Sequence, residues 1–146
     1  MLIFPECSSD ASDIQISVNG MIQATGTAIG VKFSKWDRGT IEHMSVQMDG
    51  QISGTGTSLE AITGIEWKVD TDHEDLVIHD VHLSATGQVQ GNSLTNEVDV
   101  LGIDLYLKIS GMTALNLSFG GSITGTENCN GEGIRAKLNE FQNIRL

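Results

Sequence analysis

Val18-Asn19-Gly20-Met21-Ile22-Gln23-Ala24-Thr25-Gly26-Thr27 and Met48-Asp49-Gly50-Gln51-Ile52-Ser53-Gly54-Thr55-Gly56-Thr57 agree at five of ten positions. Weaker copies follow at Ala85-Thr86-Gly87-Gln88-Val89-Gln90-Gly91 and Phe119-Gly120-Gly121-Ser122-Ile123-Thr124-Gly125. The shared pattern is apolar, any residue, Gly, any residue, Ile or Val, any residue, small. The glycines at its centre are spaced by 30, 37 and 34 residues.

Around each copy the apolar residues alternate with polar ones. Ile14, Ile16 and Val18 alternate with Gln and Ser, as do Met44, Val46 and Met48. The same holds for Ile65, Trp67 and Val69, for Val81 and Leu83, for Ile103 to Ile109, and for Leu115, Leu117 and Phe119. A period of two indicates strands with one buried face. Parallel strands covered on both faces read instead as continuous Val/Ile/Leu runs, and the short Gly-rich separators leave no room for crossover helices. The expectation is therefore a mainly antiparallel sheet.

Turn chemistry then sets the register. A two-residue Asn19-Gly20 turn would place Gln23 on the face of Ile16. A three-residue loop with a left-handed Gly20 in a G1 bulge pairs Ile16 with Ile22 and restores one apolar face. The same rule pairs Val46 with Ile52, Leu83 with Val89 and Leu117 with Ile123. This spacing fits repeated hairpins better than a short-period solenoid. The predicted fold is a single all-β domain over residues 1–146, a hairpin-repeat β-barrel or two-sheet sandwich of about ten strands. Between Val98 and Ile109 the apolar parity flips near Leu101-Gly102, marking a bulge or corner. In the tail Ile134, Leu138 and Phe141 fit a helical stripe while Ile134, Ala136 and Leu138 fit a strand, with a short C-terminal helix preferred, and Ser58 to Ile62 suggest a single helical turn.

Two residues beyond each turn a large residue faces a small one: Ile14/Ala24, Met44/Gly54, Val81/Gly91 and Leu115/Gly125. Read structurally, these small residues permit curvature. Read functionally, Ala24, Gly54, Gly91 and Gly125 open a lumen for a small apolar or amphipathic ligand, with Met44, Trp67 and His79 beside them. The function expected on this reading is a non-catalytic binding module. The alternative is a structural or assembly protein that oligomerises through sheet faces or edges.

Charge narrows the partners. Eight Lys and Arg against nineteen Asp and Glu give a net charge of −11 in 146 residues, which repels nucleic acid. No apolar run is long enough to span a membrane as a helix. Six of the eight basic residues fall in Lys32–Arg38 and Arg135–Arg145.

The acidic stretch Asp70-Thr71-Asp72-His73-Glu74-Asp75 offers Asp70, Asp72 and Glu74 as oxygen ligands for a calcium ion. It lacks the glycine and distant Glu of a calcium loop, so a solvated tip is the simpler reading. On a flat strand His79 and His82 point to opposite faces, which argues against a shared metal. A minority reading makes His79, or Asp80 with His82, the acid–base machinery of an enzyme. No nucleophile elbow or phosphate loop is present, and no cofactor is called for. Cys7 and Cys129 read as free thiols of a cytoplasmic protein, or as a staple in an extracytoplasmic one.

Overall fold

The computed structural model describes residues 1–4, 10–34, 36, 38–69 and 75–139. They form fifteen strands, and every strand pair is parallel. The antiparallel hairpin barrel or sandwich expected from the turns is therefore corrected to a parallel β-solenoid. Its chain visits three sheets in rotation.

Sheet A stacks β1 (Leu2–Phe4), β5 (Ala28–Ser34), β8 (Ala61–Lys68), β11 (Val98–Lys108) and β15 (Cys129–Asn139). Sheet B stacks β2 (Ala11–Ser12) and β3 (Gln15–Val18) on β6 (Arg38–Met48), then β9 (Asp75–Ala85), then β12 (Gly111–Met112) and β13 (Leu115–Phe119). Sheet C stacks β4 (Met21–Ala24), β7 (Gln51–Gly56), β10 (Gln88–Ser93) and β14 (Ser122–Gly125). The C-terminal helix is also corrected, because β15 runs as a strand through Asn139; residues 140–146 lie outside the described set. Ser58 to Glu60 form no helical turn, and Leu59 plugs the interior instead.

The repeat that looked like four hairpins is four coils. Ile16, Val46, Leu83 and Leu117 stack in register in sheet B. Ile22, Ile52, Val89 and Ile123 stack in sheet C. The hairpin rule put Ile16 and Ile22 on one face, and both do point inward. They do so as two walls of one coil rather than as paired strands. Each sheet has one face inside the coil and one outside, so parallel strands here alternate as antiparallel ones do.

The corner between sheets B and C is two residues long in each coil. Its hydrogen bonds run from coil to coil. Gln51 N donates to Gly20 O (2.7 Å), Gln88 N to Gly50 O (3.0 Å) and Ser122 N to Gly87 O (3.2 Å). Only Gly20 of these four glycines has a positive φ. The others are needed for close approach: a Cβ on Gly50 would lie 2.5 Å from the Gly20 carbonyl oxygen, and those on Gly87 and Gly121 closer still to the glycine below. The left-handed turn assigned to all four glycines is thus replaced by a stacked corner in which there is no room for a side chain.

Two further columns bend the walls. In sheet A the register passes over Gly30, Gly64, Gly102 and Gly133, so Val100 and Ile103 both point inward. This is the parity flip legible at Leu101-Gly102. A Cβ on Gly64 would meet Met48 Cε at 2.7 Å, so glycine here lets the interior side chain approach the backbone. In sheet B the equivalent column is Asp13, His43 and Asp80, with φ of 55°, 52° and 52°. Asp and His are among the side chains that tolerate this left-handed region best.

The interior is one continuous apolar column. It runs from Val31, Met48 and Ile52 through Ile65, Leu83 and Val89 to Ile103, Leu107 and Leu117. Phe33, Trp36 and Trp67 form an aromatic cluster with ring centroids 5.1–6.3 Å apart. Such packing makes each coil depend on its neighbours above and below.

Candidate functional site

Ala24, Gly54, Gly91 and Gly125 form one column along the inner face of sheet C. The space beside them is filled. A Cβ on Gly54 would lie 2.6 Å from Leu59 Cδ1 and 2.7 Å from Ile62 Cδ1; one on Gly91 would lie 2.5 Å from Val100 Cγ2. Small residues are used here so that large neighbours can cross the axis. Met44 and Trp67 are fully buried in the same packing.

His79 lies outside the coil. The left-handed Asp80 adds one residue between inward-facing Ile78 and Val81, so His79, Asp80 and His82 all face outward. The flat-strand geometry that separated the two histidines does not hold across this kink. His79 Nδ1 sits 2.9 Å from Thr113 Oγ1 on the next coil. His43 Nδ1 is 3.7 Å from Asp13 Oδ1, with both side chains exposed. Among the described residues no group of three or more His, Cys, Asp or Glu could hold a metal ion. Asp70, Asp72, Glu74, His73 and Cys7 lie outside the described residues. Cys129 is a free, half-buried thiol.

The strongest electrostatic feature is a ladder on the outer face of sheet A. Lys32, Glu66, Asp104 and Arg135 occupy one register position on successive coils. Lys32 Nζ reaches Glu66 Oε1 at 2.9 Å. Lys68 Nζ bridges Glu66 Oε2 (3.1 Å) and Asp104 Oδ2 (2.7 Å). Arg135 grips both oxygens of Asp104, Nε to Oδ1 at 3.0 Å and Nη2 to Oδ2 at 2.8 Å, and also pairs with Asp99. The Glu66 and Asp104 side chains are only 8% and 4% exposed.

Burial opposes ionisation of Asp104, but hydrogen bonds from Arg135 and Lys68 outweigh it and hold its carboxyl below the usual value. Burial likewise disfavours the Lys68 ammonium, and its bonds to Asp104 and Glu66 outweigh that, so its pKa is raised. The Arg135 pKa is raised chiefly by its hydrogen bonds to Asp104. Glu66 and Asp104 each meet two cations, so the ladder ties coils together and leaves neither of them as a free acid or base. Asp104 alternates with Ile103 and Leu105 in the sequence, but nothing local reveals the ladder. Its members are 34, 38 and 31 residues apart, and only the coil register aligns them.

Two surfaces stand out among the described residues. One is the N-terminal end of the solenoid. Ile14, Ile16, Val18 and Ile22 are only partly buried there, while the residues stacked on them are fully buried. Met1, Leu2, Ile3 and Met21 are 40–64% exposed at this end. A cavity of about 210 Å³, lined by Val18, Met21, Ile22, Met48 and Ile52, opens there towards the interior. The other is the outer face of sheet C, whose side chains are amides and hydroxyls apart from Met21 on the first coil.

Comparison with known protein families, curated proteins and solved structures finds no match to this chain. No helix among the described residues is long and apolar enough to cross a membrane.

Proposed function

We propose that this chain is a non-catalytic structural module that assembles with a second copy of itself through the N-terminal end of its solenoid. The observation that carries this is the clustering of exposed apolar side chains. Of the five exposed large apolar residues among those described, Met1, Leu2, Ile3 and Met21 lie on the first coil, and only Leu94 lies elsewhere. Backbone edges are open at both ends, since β13 pairs only with β9 and β14 only with β10 among the described residues. They permit strand addition, and the apolar side chains select the N-terminal end. Within the described residues β2 and β3 pair only with β6, and β4 only with β7. Their other edges carry unpaired N–H and C=O groups, a template for strand addition.

A twofold end-to-end pair would bury the first-coil apolar residues and satisfy these edges with one self-complementary contact. Ile3 stands in register above Lys32, so the contact meets the charged ladder only at its first member, and the Glu66, Asp104 and Arg135 pairs lie on later coils. The first coil carries no Lys or Arg, so the contact rests on apolar burial and backbone pairing rather than on ion pairs.

Sedimentation velocity over a concentration series tests the proposal. The chain is expected to shift from monomer to dimer with rising concentration. Met21→Asp should weaken that association at least tenfold, and Leu94→Asp should leave it unchanged. A strict monomer at every concentration, or a loss caused by Leu94→Asp and not by Met21→Asp, would overturn the assignment.

A further inference from the structure

The outer face of sheet C is an uncharged lattice of amides and hydroxyls. One column in register is Met21, Gln51, Gln88 and Ser122; the next is Gln23, Ser53, Gln90 and Thr124; Thr55 and Asn92 extend it. These ten positions include no Asp, Glu, Lys or Arg, in a chain with 18% charged residues and a net charge of −11. Charged residues commonly make up about a quarter to a third of a soluble surface, so the depletion is local. The apolar partners in these strands, such as Ile52 and Val89, all point into the coil.

The polar groups are unspent. None of the nine polar side chains among them makes a hydrogen bond within the described residues, while other polar side chains, such as Thr86 with Asp49 at the adjoining corner, do. Their spacing is fixed by the backbone: about 4.8 Å from coil to coil and about 6.7 Å between columns along a strand. A cleft of about 690 Å³ lines the first two coils of this face, walled by Gln23, Thr25, Thr27, Ser53 and Thr55. That volume lies within the usual range of a ligand site.

We propose that this face binds a neutral polysaccharide chain. Amides and hydroxyls both donate and accept, as sugar hydroxyls do. A lattice repeating in two directions suits an extended, periodic ligand better than a compact one. The charge pattern selects the class: the acidic body repels polyanions, and a polycation would be drawn to the carboxylates elsewhere rather than to this face. The site is separate from the N-terminal contact proposed above, apart from Met21 at its margin.

Affinity electrophoresis of the full chain in native gels tests it. The gels would contain hydroxyethylcellulose, laminarin or dextran as neutral probes, and polygalacturonate as the anionic one. Retardation is expected with at least one neutral probe, with none by polygalacturonate. It should persist in 0.5 M salt (about a 4–5 Å screening length), because the ligand is neutral and the carboxylate bonded to the cleft wall, Glu60 to Thr27, has no charge to attract. The double variant Gln23→Ala/Gln90→Ala should lose at least tenfold in apparent affinity with an unchanged circular dichroism spectrum. Gln47→Ala, an exposed amide on the outer face of sheet B, should bind as the parent does. Four results would overturn the proposal: no retardation by any neutral probe, retardation by polygalacturonate alone, full binding by the double variant, or inhibition of ice growth without glycan binding. The last would mean that the lattice orders water rather than sugar.

Discussion

Gly120 and Gly121 are neighbours at the last corner between sheets B and C, and alanine should affect them in opposite directions. A Cβ on Gly121 would press on the Gly87 carbonyl oxygen of the coil below, inside the ordinary contact distance. That oxygen also accepts the bond from Ser122 N at 3.2 Å. The coils must separate locally, which strains packing and loosens this bond. Overpacking costs about 1–3 kcal/mol, and an unmade backbone bond a further ~1–3 kcal/mol. Since the last coil can give way partly, Gly121→Ala should destabilise by about 2–4 kcal/mol. At Gly120 the nearest atom to a Cβ is Thr86 Cγ2 at 3.8 Å, an ordinary contact, and its φ is not positive. Gly120→Ala should be neutral or stabilising by up to ~1 kcal/mol, because alanine restricts the unfolded chain. Urea unfolding followed by circular dichroism, with equal m-values, reads both directly. A Gly121→Ala variant within about 0.5 kcal/mol of the parent, or a Gly120→Ala variant equally destabilised, would refute the stacked-corner explanation.

Gly54→Ala should destabilise by about 1–3 kcal/mol, because Leu59 and Ile62 already occupy the space its methyl would enter. A tolerated substitution in the same urea assay would mean the interior has slack at that position. The charged ladder predicts a pH dependence. Asp104 has a folded pKa below its ordinary value, so its stabilising contribution is present above that ordinary value and is lost as pH falls through the folded one. Lys68 has a raised pKa, so its contribution is full below the ordinary lysine value and fades as pH rises through the folded one. Asp104→Asn should flatten the acid limb of a melting-temperature profile; an unchanged slope would show that other carboxylates dominate it.

Much of the fold is legible in single residues, and what is missing is the connection between them. Ile16, Val46, Leu83 and Leu117 are recognisable as inward-facing by their period, and the Leu101-Gly102 flip marks a real bend. The error lies in the glycine corner. A Gly before an alternating run is compatible both with a chain that doubles back on its neighbour and with one that steps round to a new wall. In the first case Ile16 pairs with Ile22; in the second it stacks on Val46. Local chemistry is nearly the same in both. Two general rules also misled. Parallel strands need long crossovers only when the next strand belongs to the same sheet, whereas here two other walls intervene. Parallel sheets read as unbroken apolar runs only when both faces are covered, whereas here one face meets solvent.

The surfaces were harder to see for the same reason. Asp104 reads as an exposed charge until Lys68 and Arg135 are brought beside it by the register. Gln23, Ser53, Gln90 and Thr124 read as unrelated polar residues until the coil spacing aligns them. His79 and His82 fall on opposite faces of a straight strand, and only the kink at Asp80 brings them to one. A left-handed Asp80 is not predictable from its neighbours, although Asp is a residue that tolerates it.

The coil register sets the unit in which this molecule can lengthen or shorten over evolutionary time. Gln51 and Gln88 occupy one position on adjacent turns. Excising Gln51–Gly87 would therefore join Gly50 to Gln88 with every wall still in phase, and a tandem duplication of the same segment would add a storey just as smoothly. Gains and losses of thirty-odd residues at a time are open to this lineage, whereas an indel of two or three inside a wall would throw the whole stack out of step.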